Sequence, residues 1–397
     1  MRKSVLHHWL DRLAIGLALL FALDRLWKLA AVVHFFRRPA PAPPATGWPS
    51  VTILSPVTQG VSNLPQALAC RGRLRYPGPI QQLLICDAAD TATQAVCNAW
   101  LATQPPAGHQ VILVASARPI ATKTEKLIAA LPHATGEVLC FVDDDVALRP
   151  HSLTTLIPYL YTKDTGAVFG LACYTAWHNL PTSLMSAFVN SNALLSYIPL
   201  CYLTEPFTIT GHCFALRRTL FAAAGGFTDM AQRLDDDHEL ARRVRRLGYR
   251  IVQTPLLYDV ENHFATLAAY ATQMKRWFVF PQQMMMPTMN RRERAIMALG
   301  SLNQLLLPLL ALLALLTRRR RVLSAFGSSA LLFTLVNGLC EHRYLGQPTP
   351  PRWWPLPLVS ALIAPLQIVA AMIGRSEITW RGQRLRVHKG GGFDYVA

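Results

Sequence analysis

Three long stretches without a single charged residue constrain the fold of this 397-residue chain more than any other feature. They cover residues 295–317, 322–340 and 353–374. Each is close to the ~20 residues that a helix needs to cross about 30 Å of hydrocarbon. We therefore expect membrane helices within residues 295–374.

A shorter apolar run at residues 13–23 predicts an N-terminal membrane anchor within residues 1–38. Charged residues follow this run, but Asp24 and Lys28 are four positions apart and can neutralise each other on one helix face. No small-residue cleavage site follows, which argues against a cleaved signal peptide. Residues 39–49, PAPAPPATGWP, predict a stiff extended linker.

The excess of basic residues lies outside the middle of the chain. Residues 50–262 carry 16 Lys+Arg and 16 Asp+Glu, residues 1–49 carry 7 and 2, and residues 263–397 carry 16 and 4. Together these give the formal net charge of +17. A nucleic-acid binder would carry its positive charge on the folded reading surface, whereas basic residues beside apolar spans indicate membrane anchoring. We expect a lipid bilayer and no nucleic acid as partner.

The basic clusters also predict which parts of the chain face the cytoplasm. Three full crossings would place the four arginines at 318–321 outside, against the positive-inside tendency. Pro308 lies near the middle of the first stretch and can break a helix. We therefore hypothesise that residues 295–317 are re-entrant or lie at the interface and return to the cytoplasmic side. Two crossings would then follow, with the middle of the chain and the basic tail, residues 375–397, in the cytoplasm.

Residues 50–262 predict a soluble α/β domain. Short apolar runs alternate with stretches of helix length, which indicates a mainly parallel sheet covered on both faces. The predicted strands are residues 51–54, 83–86, 111–114 and 138–142, and the predicted helices are residues 64–75, 91–103 and 122–134. Ligands bind such sheets beyond the carboxyl ends of the strands, which is where Asp87, Asp90 and Asp143 fall.

The run DDD at 143–145 is the first candidate site. In an extended segment Asp143 and Asp145 would point the same way. Two close carboxylates repel each other unless a cation lies between them, and carboxylate oxygens suit hard divalent ions that complete their coordination with phosphates. The functional interpretation is a metal–diphosphate site, and the purely structural one is an acidic turn that caps a helix near Pro150.

A second acidic run, DDD at 235–237, opens a predicted helix that stops near Gly248. The apolar side of that helix is predicted to consist of Leu240, Val244 and Leu247. Acids at the start of a helix complement its dipole, but this accounts better for one acid than for three. A carboxylate at this position can also serve as the general base for an acceptor hydroxyl.

The third motif is QMKRW at 273–277. Gln273 and Arg276 share a helix face at i, i+3 and can hold a diphosphate, while Trp277 covers an acceptor. The same mixture of residues fits an amphipathic helix at a membrane surface, so residues 263–294 are predicted to be interfacial.

Two smaller features complete the candidate site. Gly211, followed by His212, is a position where a backbone can approach a ligand closely, and we assign both residues to the acceptor side. Lys123 and Lys126 open the predicted helix before the Asp143 strand. They could meet phosphate, although lysines in such positions are more often simply solvated.

The combination resembles the family 2 glycosyltransferases, and within them the ceramide glucosyltransferase-like membrane group; it is also similar to hopanoid-associated glycosyltransferases. The family's motifs read here as Asp90 within CDAAD, DDD at 143–145, DDD at 235–237 and QMKRW at 273–277. Their order and spacing match over roughly residues 51–277, and ITWRG at 378–382 resembles the group's C-terminal signature.

The resemblance implies a GT-A fold, Rossmann-like with flanking transmembrane helices, a UDP-sugar donor and Mg2+ or Mn2+. It implies that Asp90 contacts the uridine base, and we place Asp87 and Lys123 on the same donor side. It also implies that Asp143 and Asp145 hold ribose, metal and diphosphate. Which of these two is the main metal ligand stays open, because the eukaryotic ceramide enzyme has a single Asp there.

By the same resemblance, Asp237 is the catalytic base and Asp236 its acidic neighbour. Gln273, Arg276 and Trp277 would close over the diphosphate and the acceptor. One base and a direct displacement predict inversion, so that an α-linked donor gives a β-glycoside.

The expected function is transfer of a hexose, glucose by default, from a UDP-sugar to a lipid hydroxyl in glycolipid biosynthesis. Ceramide, a hopanoid and diacylglycerol all remain open as acceptors. A processive polysaccharide synthase is the alternative within the family, but it would need more crossings to enclose a pore. A non-catalytic membrane receptor or scaffold would leave the acidic clusters unexplained. The Ala-, Leu-, Arg- and Pro-rich composition suggests a GC-rich bacterial gene, and for a bacterial membrane protein with a cytoplasmic catalytic domain we expect the inner membrane.

Overall fold

The computed structural model describes residues 2–61, 63–105, 108–116, 122–230, 233–374, 376–380 and 383–396, without the side chains of residues 2–6 and of Trp380. The strands are β1 (Val51–Pro56), β2 (Ile80–Asp87), β3 (Gln110–Val114), β4 (Val138–Val142), β5 (Val146–Leu148), β6 (Thr165–Tyr174), β7 (Cys213–Arg217), β8 (Arg250–Val260), β9 (Glu377–Trp380), β10 (Gln383–Val387) and β11 (Phe393–Tyr395). The helices are α1 (Arg2–Arg37), α2 (Leu64–Arg71), α3 (Thr91–Leu101), α4 (Lys123–Ala130), α5 (Ser152–Leu156), α6 (Leu180–Asn192), α7 (Ile198–Leu203), α8 (Arg218–Ala223), α9 (Asp236–Arg246), α10 (Leu267–Phe280), α11 (Arg291–Thr317), α12 (Arg320–Cys340) and α13 (Leu356–Ile373).

The first eight strands form one mixed sheet in the order β3-β2-β1-β4-β7-β6-β8-β5. Strand β1 pairs in parallel with β2 and β4, and β2 pairs in parallel with β3. Strands β7 and β5 run antiparallel to their neighbours. The predicted alternation of four strands and three helices is therefore confirmed.

Helices and loops cover both faces of this sheet. Every residue of β1 and β4 is buried, as expected for central strands with continuous apolar sequences. One core contains Ile53 and Tyr174, and the opposite core contains Leu54 and Leu240. The predicted apolar side of α9 is correct for Leu240 and Val244 but wrong for Leu247, which is 45% exposed because the helix has already ended at Arg246.

Four helical segments among the described residues are long and apolar enough to cross a membrane by length and composition. They cover Leu180–Leu203, Arg291–Thr317, Arg320–Leu345 and Pro351–Ile373. The last three coincide with the predicted stretches. The first was not predicted as a membrane segment. In the structure it lies largely inside the protein, where 56% of its most apolar 18 residues are buried.

The predicted break at Pro308 does not occur, because α11 continues through this proline to Thr317. Near its first turn Glu293 pairs with Arg245 of α9, while beyond its last turn Arg319 donates two hydrogen bonds of 2.8 Å to Asp11 of α1. A 27-residue helix is about 40 Å long. Residues 295–317 therefore run from the α/β domain to the far end of the helix bundle without the break at Pro308, and how they lie relative to a membrane stays a prediction.

The N-terminal segment forms a single helix, α1, that packs against α11 and α12. Phe21 lies in one cluster with Leu307 and Phe333. Oδ2 of Asp24 forms salt bridges with Nζ of Lys28 at 3.0 Å and with Nη2 of Arg25 at 2.7 Å. The predicted neutralisation of Asp24 by Lys28 is therefore observed.

The basic tail is not an extended segment. Strands β9, β10 and β11 form a separate antiparallel sheet in the order β11-β10-β9. Ile378 and Leu385 pack in one cluster with Val279 and Met284, which follow the QMKRW motif. Arg381 and Gly382 of the predicted tail signature lie outside the described residues.

Candidate active site

The sheet brings the two halves of the candidate site together. Strand β4 ends at Val142, opposite Cys213 at the start of antiparallel β7. The backbone N–H of Asp143 donates to the carbonyl of His212 at 2.9 Å. The DDD run at 143–145 and the Gly211–His212 segment are therefore adjacent because their strands are hydrogen-bonded neighbours.

The DDD run itself is a turn, so the prediction of an extended segment is wrong. The N–H of Val146 donates to the carbonyl of Asp143 at 3.3 Å and closes the turn. Asp144 accepts from the Thr58 N–H at 2.5 Å. Burial raises the pKa of Tyr174, and the charges of Asp145 and Asp143 raise it further. Both carboxylates therefore lie near this tyrosine.

Asp145 is a carboxylate whose burial and acidic neighbours outweigh the nearby positive charge of Lys123. Its Oδ1 atom is buried without a hydrogen-bond partner among the described residues. Burial raises the pKa of Asp145 to about 8, and the charges of Asp143 and Asp144 add to this effect. No set of three His, Cys, Asp or Glu side chains in the described part of the chain could hold a metal alone. The orphaned oxygen fits a cation whose remaining ligands come from a bound diphosphate.

Lys123 connects the two acidic runs. Its Nζ atom lies 2.6 Å from Oδ1 of Asp143 and donates to the carbonyl of Gly211 at 2.9 Å. Burial lowers the pKa of Lys123, but the carboxylates of Asp143, Asp236 and Asp237 outweigh this effect and leave the pKa above its usual value. Lys123 is therefore charged and faces both runs, as its position at the start of α4 allows.

Asp236 and Asp237 begin α9 and point toward this lysine. Oδ1 of Asp237 accepts from the His238 N–H at 2.7 Å. Burial, together with the neighbouring charge of Asp236, raises the pKa of Asp237 to about 7. Burial also raises the pKa of Asp236, whose Oδ2 atom is buried without a hydrogen-bond partner among the described residues.

Gly211 lies directly against the side chain of Asp237, which leaves no room for a side chain at position 211. A Cβ atom on Gly211 would lie 2.7 Å from Oδ2 of Asp237, a distance that real Cβ atoms do not show. The close contact at Gly211 is with a side chain of the protein, and the predicted approach of its backbone to a ligand stays a prediction.

Asp235, the first acid of the second run, has a separate partner. Its two oxygens accept from Nε and Nη2 of Arg233 at 3.0 and 2.9 Å. Burial raises the pKa of Asp235 to about 6, with Arg233 opposing that shift.

Helix α10 brings part of the QMKRW motif to the same cleft. The Trp277 ring packs edge-on against Tyr174 at 6.4 Å between centroids. The hydroxyl of Tyr174 lies 3.5 Å from Nε2 of His212. The pKa of His212 is lowered, because burial and the charges of Lys123 and Arg276 outweigh the opposing charge of Asp143. Gln273 is half-buried, and no hydrogen bond joins it to the residues that the structure describes.

Asp87 and Asp90 lie at the end of β2, separated from β4 by β1, which corresponds to about 10 Å between the outer strands. Lys126 is 1% exposed and lies 2.6 Å from Oδ2 of Asp87. It is therefore neither solvated nor placed on the cleft surface, because it forms a buried ion pair. Oδ1 of Asp90 accepts from the Thr93 N–H at 3.1 Å and caps α3.

Arg71 was missed by the sequence analysis. It is 2% exposed, donates to the Ser55 hydroxyl at 2.6 Å and donates to the carbonyl of Asp143 at 2.9 Å. It thus supports the DDD turn from beneath. A single arginine at a helix end has no distinctive pattern, so no sequence signal identified it.

The described fold is of the GT-A type, and a computed comparison with protein families identifies the chain more closely. The model described as Glycosyl transferase family 21 matches residues 13–393. The chain belongs to this glycosyltransferase family, which confirms that it is a glycosyltransferase, while the ceramide-specific subgroup that its motifs resemble stays a prediction.

Two known proteins resemble this chain, one in sequence over part of its length and one in structure over most of it. The Probable glycosyltransferase YdaM of Bacillus subtilis (strain 168) is 25% identical over 244 residues, which is 58% of this chain and 54% of that protein. The chain therefore spans about half the length of this curated relative. The mannosyltransferase PcManGT from Pyrobaculum calidifontis, solved in complex with GDP-Man and Mn2+, is 18% identical with a TM-score of 0.53. The match covers 92% of this chain and 98% of that one, and it supports the fold.

Proposed function

We propose that this glycosyltransferase is a membrane-bound, inverting enzyme that moves a hexose, glucose by default, from a UDP-sugar to a lipid hydroxyl. One observation carries the proposal. Lys123 contacts Asp143 and Gly211, and Gly211 lies directly against Asp237, so residues far apart in the sequence surround one cleft.

The donor is assigned to the side of the cleft formed by β2 and β4. Asp90, with Asp87 beside it, is proposed to face the base of the nucleotide, and Asp143 its ribose and diphosphate. Arg276 and Gln273 are proposed to close over the diphosphate from α10, because a guanidinium binds phosphate oxygens with two parallel hydrogen bonds.

Asp143 and Asp145 are the residues proposed to hold a divalent ion, Mg2+ or Mn2+. The buried, unpartnered oxygen of Asp145 supports this assignment. When bound, such an ion supplies positive charge next to the departing diphosphate.

The proposed base is the carboxylate of Asp237. It accepts the proton of the acceptor hydroxyl while that oxygen bonds to the anomeric carbon. The bond from this carbon to the diphosphate oxygen breaks, and UDP leaves with the electron pair. A pKa of about 7 keeps a large fraction of Asp237 deprotonated near neutral pH. One displacement inverts the anomeric centre, giving a β-glycoside.

A polar cavity among the apolar helices supports a lipid acceptor. Its volume is about 70 Å³, and its lining includes Arg25, Asn192 and Gln304. Phe188 forms one wall and also packs against Trp277 at 6.4 Å. Polar side chains inside a membrane bundle commonly mark a substrate path, and we assign the polar head of a membrane lipid, next to Trp277, to this cavity.

We further propose that the α/β domain lies in the cytoplasm, at a bacterial inner membrane. All eight cysteines are free thiols, which suits a reducing compartment. This places the four arginines at 318–321 on the outer side, against the usual charge bias. The salt bridge between Arg319 and the buried carboxylate of Asp11 offsets part of that cost.

The test is transfer by the purified, full-length protein in lipid nanodiscs. Isotope-labelled UDP-sugars are supplied one at a time with Mg2+ or Mn2+, and the lipids are analysed by mass spectrometry. The wild type should add one hexose to one lipid class. Asp237→Asn should lower transfer by about a thousandfold while changing UDP-sugar affinity less than about threefold. Asp229→Asn, on the exposed surface, is the matched control.

Each contrary result has a defined meaning. A long carbohydrate chain would indicate a polysaccharide synthase. Absence of both transfer and UDP-sugar binding would indicate a receptor or scaffold. Normal transfer by Asp237→Asn would remove the proposed role of this residue.

A further inference from the structure

The turn between β10 and β11 contacts two segments that flank the candidate site. The carbonyl of Gly390 accepts from Nη2 of Arg233 at 2.8 Å, just before α9. The N–H of Gly390 donates to the carbonyl of Gln283 at 2.9 Å, in the helical turn that follows α10. One residue of the C-terminal sheet therefore joins the acidic run at 235–237 to the segment after QMKRW.

Glycine is required in this turn for two reasons. Gly390 has φ +94° and Gly391 has φ +98°, values that side chains with a Cβ rarely adopt. A Cβ on Gly391 would also lie 2.5 Å from Oδ1 of Asp235 and closer still to Nη2 of Arg233. The backbone of Gly391 thus lies directly on the Arg233–Asp235 ion pair.

That ion pair sits at the amino end of α9. Asp235 is 4% exposed and directly precedes the first helical residue, Asp236. Arg233 also reaches Glu239, at 3.6 Å, one turn into the helix. Any displacement of Arg233 therefore acts on the helical turn that contains Asp236 and Asp237.

Apolar packing fixes the small sheet in this position. Ile378, Leu385 and Val387 are buried together with Val279 and Met284, and Leu234 and Phe393 pack against the same cluster. This cluster touches the end of α10 and the residue between Arg233 and Asp235, so it supports the same two segments as the glycine turn.

We propose that the C-terminal sheet is a positioning element for the transfer site, which fixes α9 relative to α10 through the Arg233–Asp235 pair. This inference rests on the proposed function, since it takes Asp237 as the base. Gly390 and Gly391 contact Arg233, Asp235 and the carbonyl of Gln283, so we class them as positioning residues. They act by holding Asp237 in a fixed position relative to Arg276, because a catalytic carboxylate that is misplaced by about 1 Å makes the reaction much slower.

The test compares Gly391→Ala with Gly392→Ala in the full-length protein. The second is a matched control, because a Cβ at Gly392 would meet no atom within 4 Å and its φ is not in the left-handed region. Arg233→Gln is a second variant, which keeps both glycines and removes the charge of the ion pair together with the hydrogen bond to the Gly390 carbonyl.

Two measurements separate positioning from general destabilisation. Gly391→Ala and Arg233→Gln should lower kcat by about tenfold or more while the KM for the UDP-sugar changes less than about twofold. Hydrogen–deuterium exchange of residues 236–240 should accelerate about tenfold, while exchange in β1 and β4 stays as in the wild type. Gly392→Ala should match the wild type in both measurements.

The exchange measurement keeps the two proposals distinguishable. Unchanged exchange at residues 236–240 in both variants would overturn the positioning role, whatever the enzyme transfers. A raised KM with an unchanged kcat would overturn it as well. Faster exchange in a protein whose wild type transfers no sugar would instead refute the proposed function and leave the structural connection standing.

Discussion

Lys123 and Asp143 form the ion pair that joins the two acidic runs of the site, with 2.6 Å between Nζ and Oδ1. The same ammonium donates to the carbonyl of Gly211, the residue that lies against Asp237. Three carboxylates therefore depend on one cation in the absence of ligands. This relationship explains why acids so close together remain on one side of the sheet.

Replacement of Lys123 should weaken both donor binding and transfer. In Lys123→Met the carboxylates of Asp143, Asp236 and Asp237 lose their shared cation, so the pKa values of Asp236 and Asp237 rise and the three carboxylates move apart. We expect kcat/KM to fall about a hundredfold, and Lys123→Arg to recover part of the loss. Lys163→Met, on an exposed lysine, should behave as the wild type. Equal activity of Lys123→Met and Lys163→Met would contradict this role.

The rate of transfer should rise with pH through neutrality. A base must be deprotonated, and Asp237 has a pKa of about 7, so the active fraction grows as pH increases from 6 to 8. Single-turnover rates in nanodiscs at saturating UDP-sugar should show a midpoint near pH 7. A rate that is constant or falls over this range would exclude Asp237 as the base.

The sequence was most informative where one type of interaction dominates. The four strands from β1 to β4 were predictable because a central parallel strand needs a continuous apolar run. The two acidic runs were predictable as site candidates because clustered carboxylates are costly without a cationic partner. The rule that ligand sites lie beyond the carboxyl ends of parallel strands predicted the place of the first run, whereas the place of the second run in the same site followed from the family resemblance.

The remaining features depend on contacts between distant residues. Nothing in the sequence around Pro308 reveals that the helix remains intact while packed against α1. Local pattern also gives no indication that the basic tail folds back, because its sheet is stabilised by Val279 and Met284, about a hundred residues earlier. The DDD turn was mistaken for an extended segment because one backbone hydrogen bond, from Val146 to Asp143, decides its shape.

Removal of divalent metal should abolish transfer, and substitutions of Asp144 and Asp145 should have different effects. Treatment with EDTA should stop the reaction, and Mg2+ or Mn2+ should restore it. Asp145→Asn should raise the metal concentration for half-maximal rate about tenfold or more. Asp144→Asn should act mainly on stability, since Asp144 accepts from the Thr58 N–H. Full activity in EDTA would refute the metal assignment.

A methyl group on Gly211 should impair the base without affecting the donor. The added Cβ would lie 2.7 Å from Oδ2 of Asp237 and must displace that carboxylate. We expect kcat to fall about tenfold or more, with little change in the KM for the UDP-sugar. Gly300→Ala is the control, because its Cβ would meet nothing within 4 Å and alanine favours the helix α11. Identical kinetics of the two variants would contradict the contact.

The pair of Lys126 and Asp87 should contribute far more to stability than an exposed pair of the same type. The Lys126 side chain is 1% exposed and also donates to the carbonyl of Val57 at 2.6 Å, so Lys126→Met removes a charge on which two buried acceptors depend. We expect the free energy of unfolding to fall by about 3 kcal/mol. Arg250 and Glu205 also form an ion pair, but their side chains are 51% and 57% exposed, so Arg250→Met should cost less than about 1 kcal/mol. Thermal unfolding of both purified variants, followed by tryptophan fluorescence, would contradict this ranking if the two Tm values fell equally.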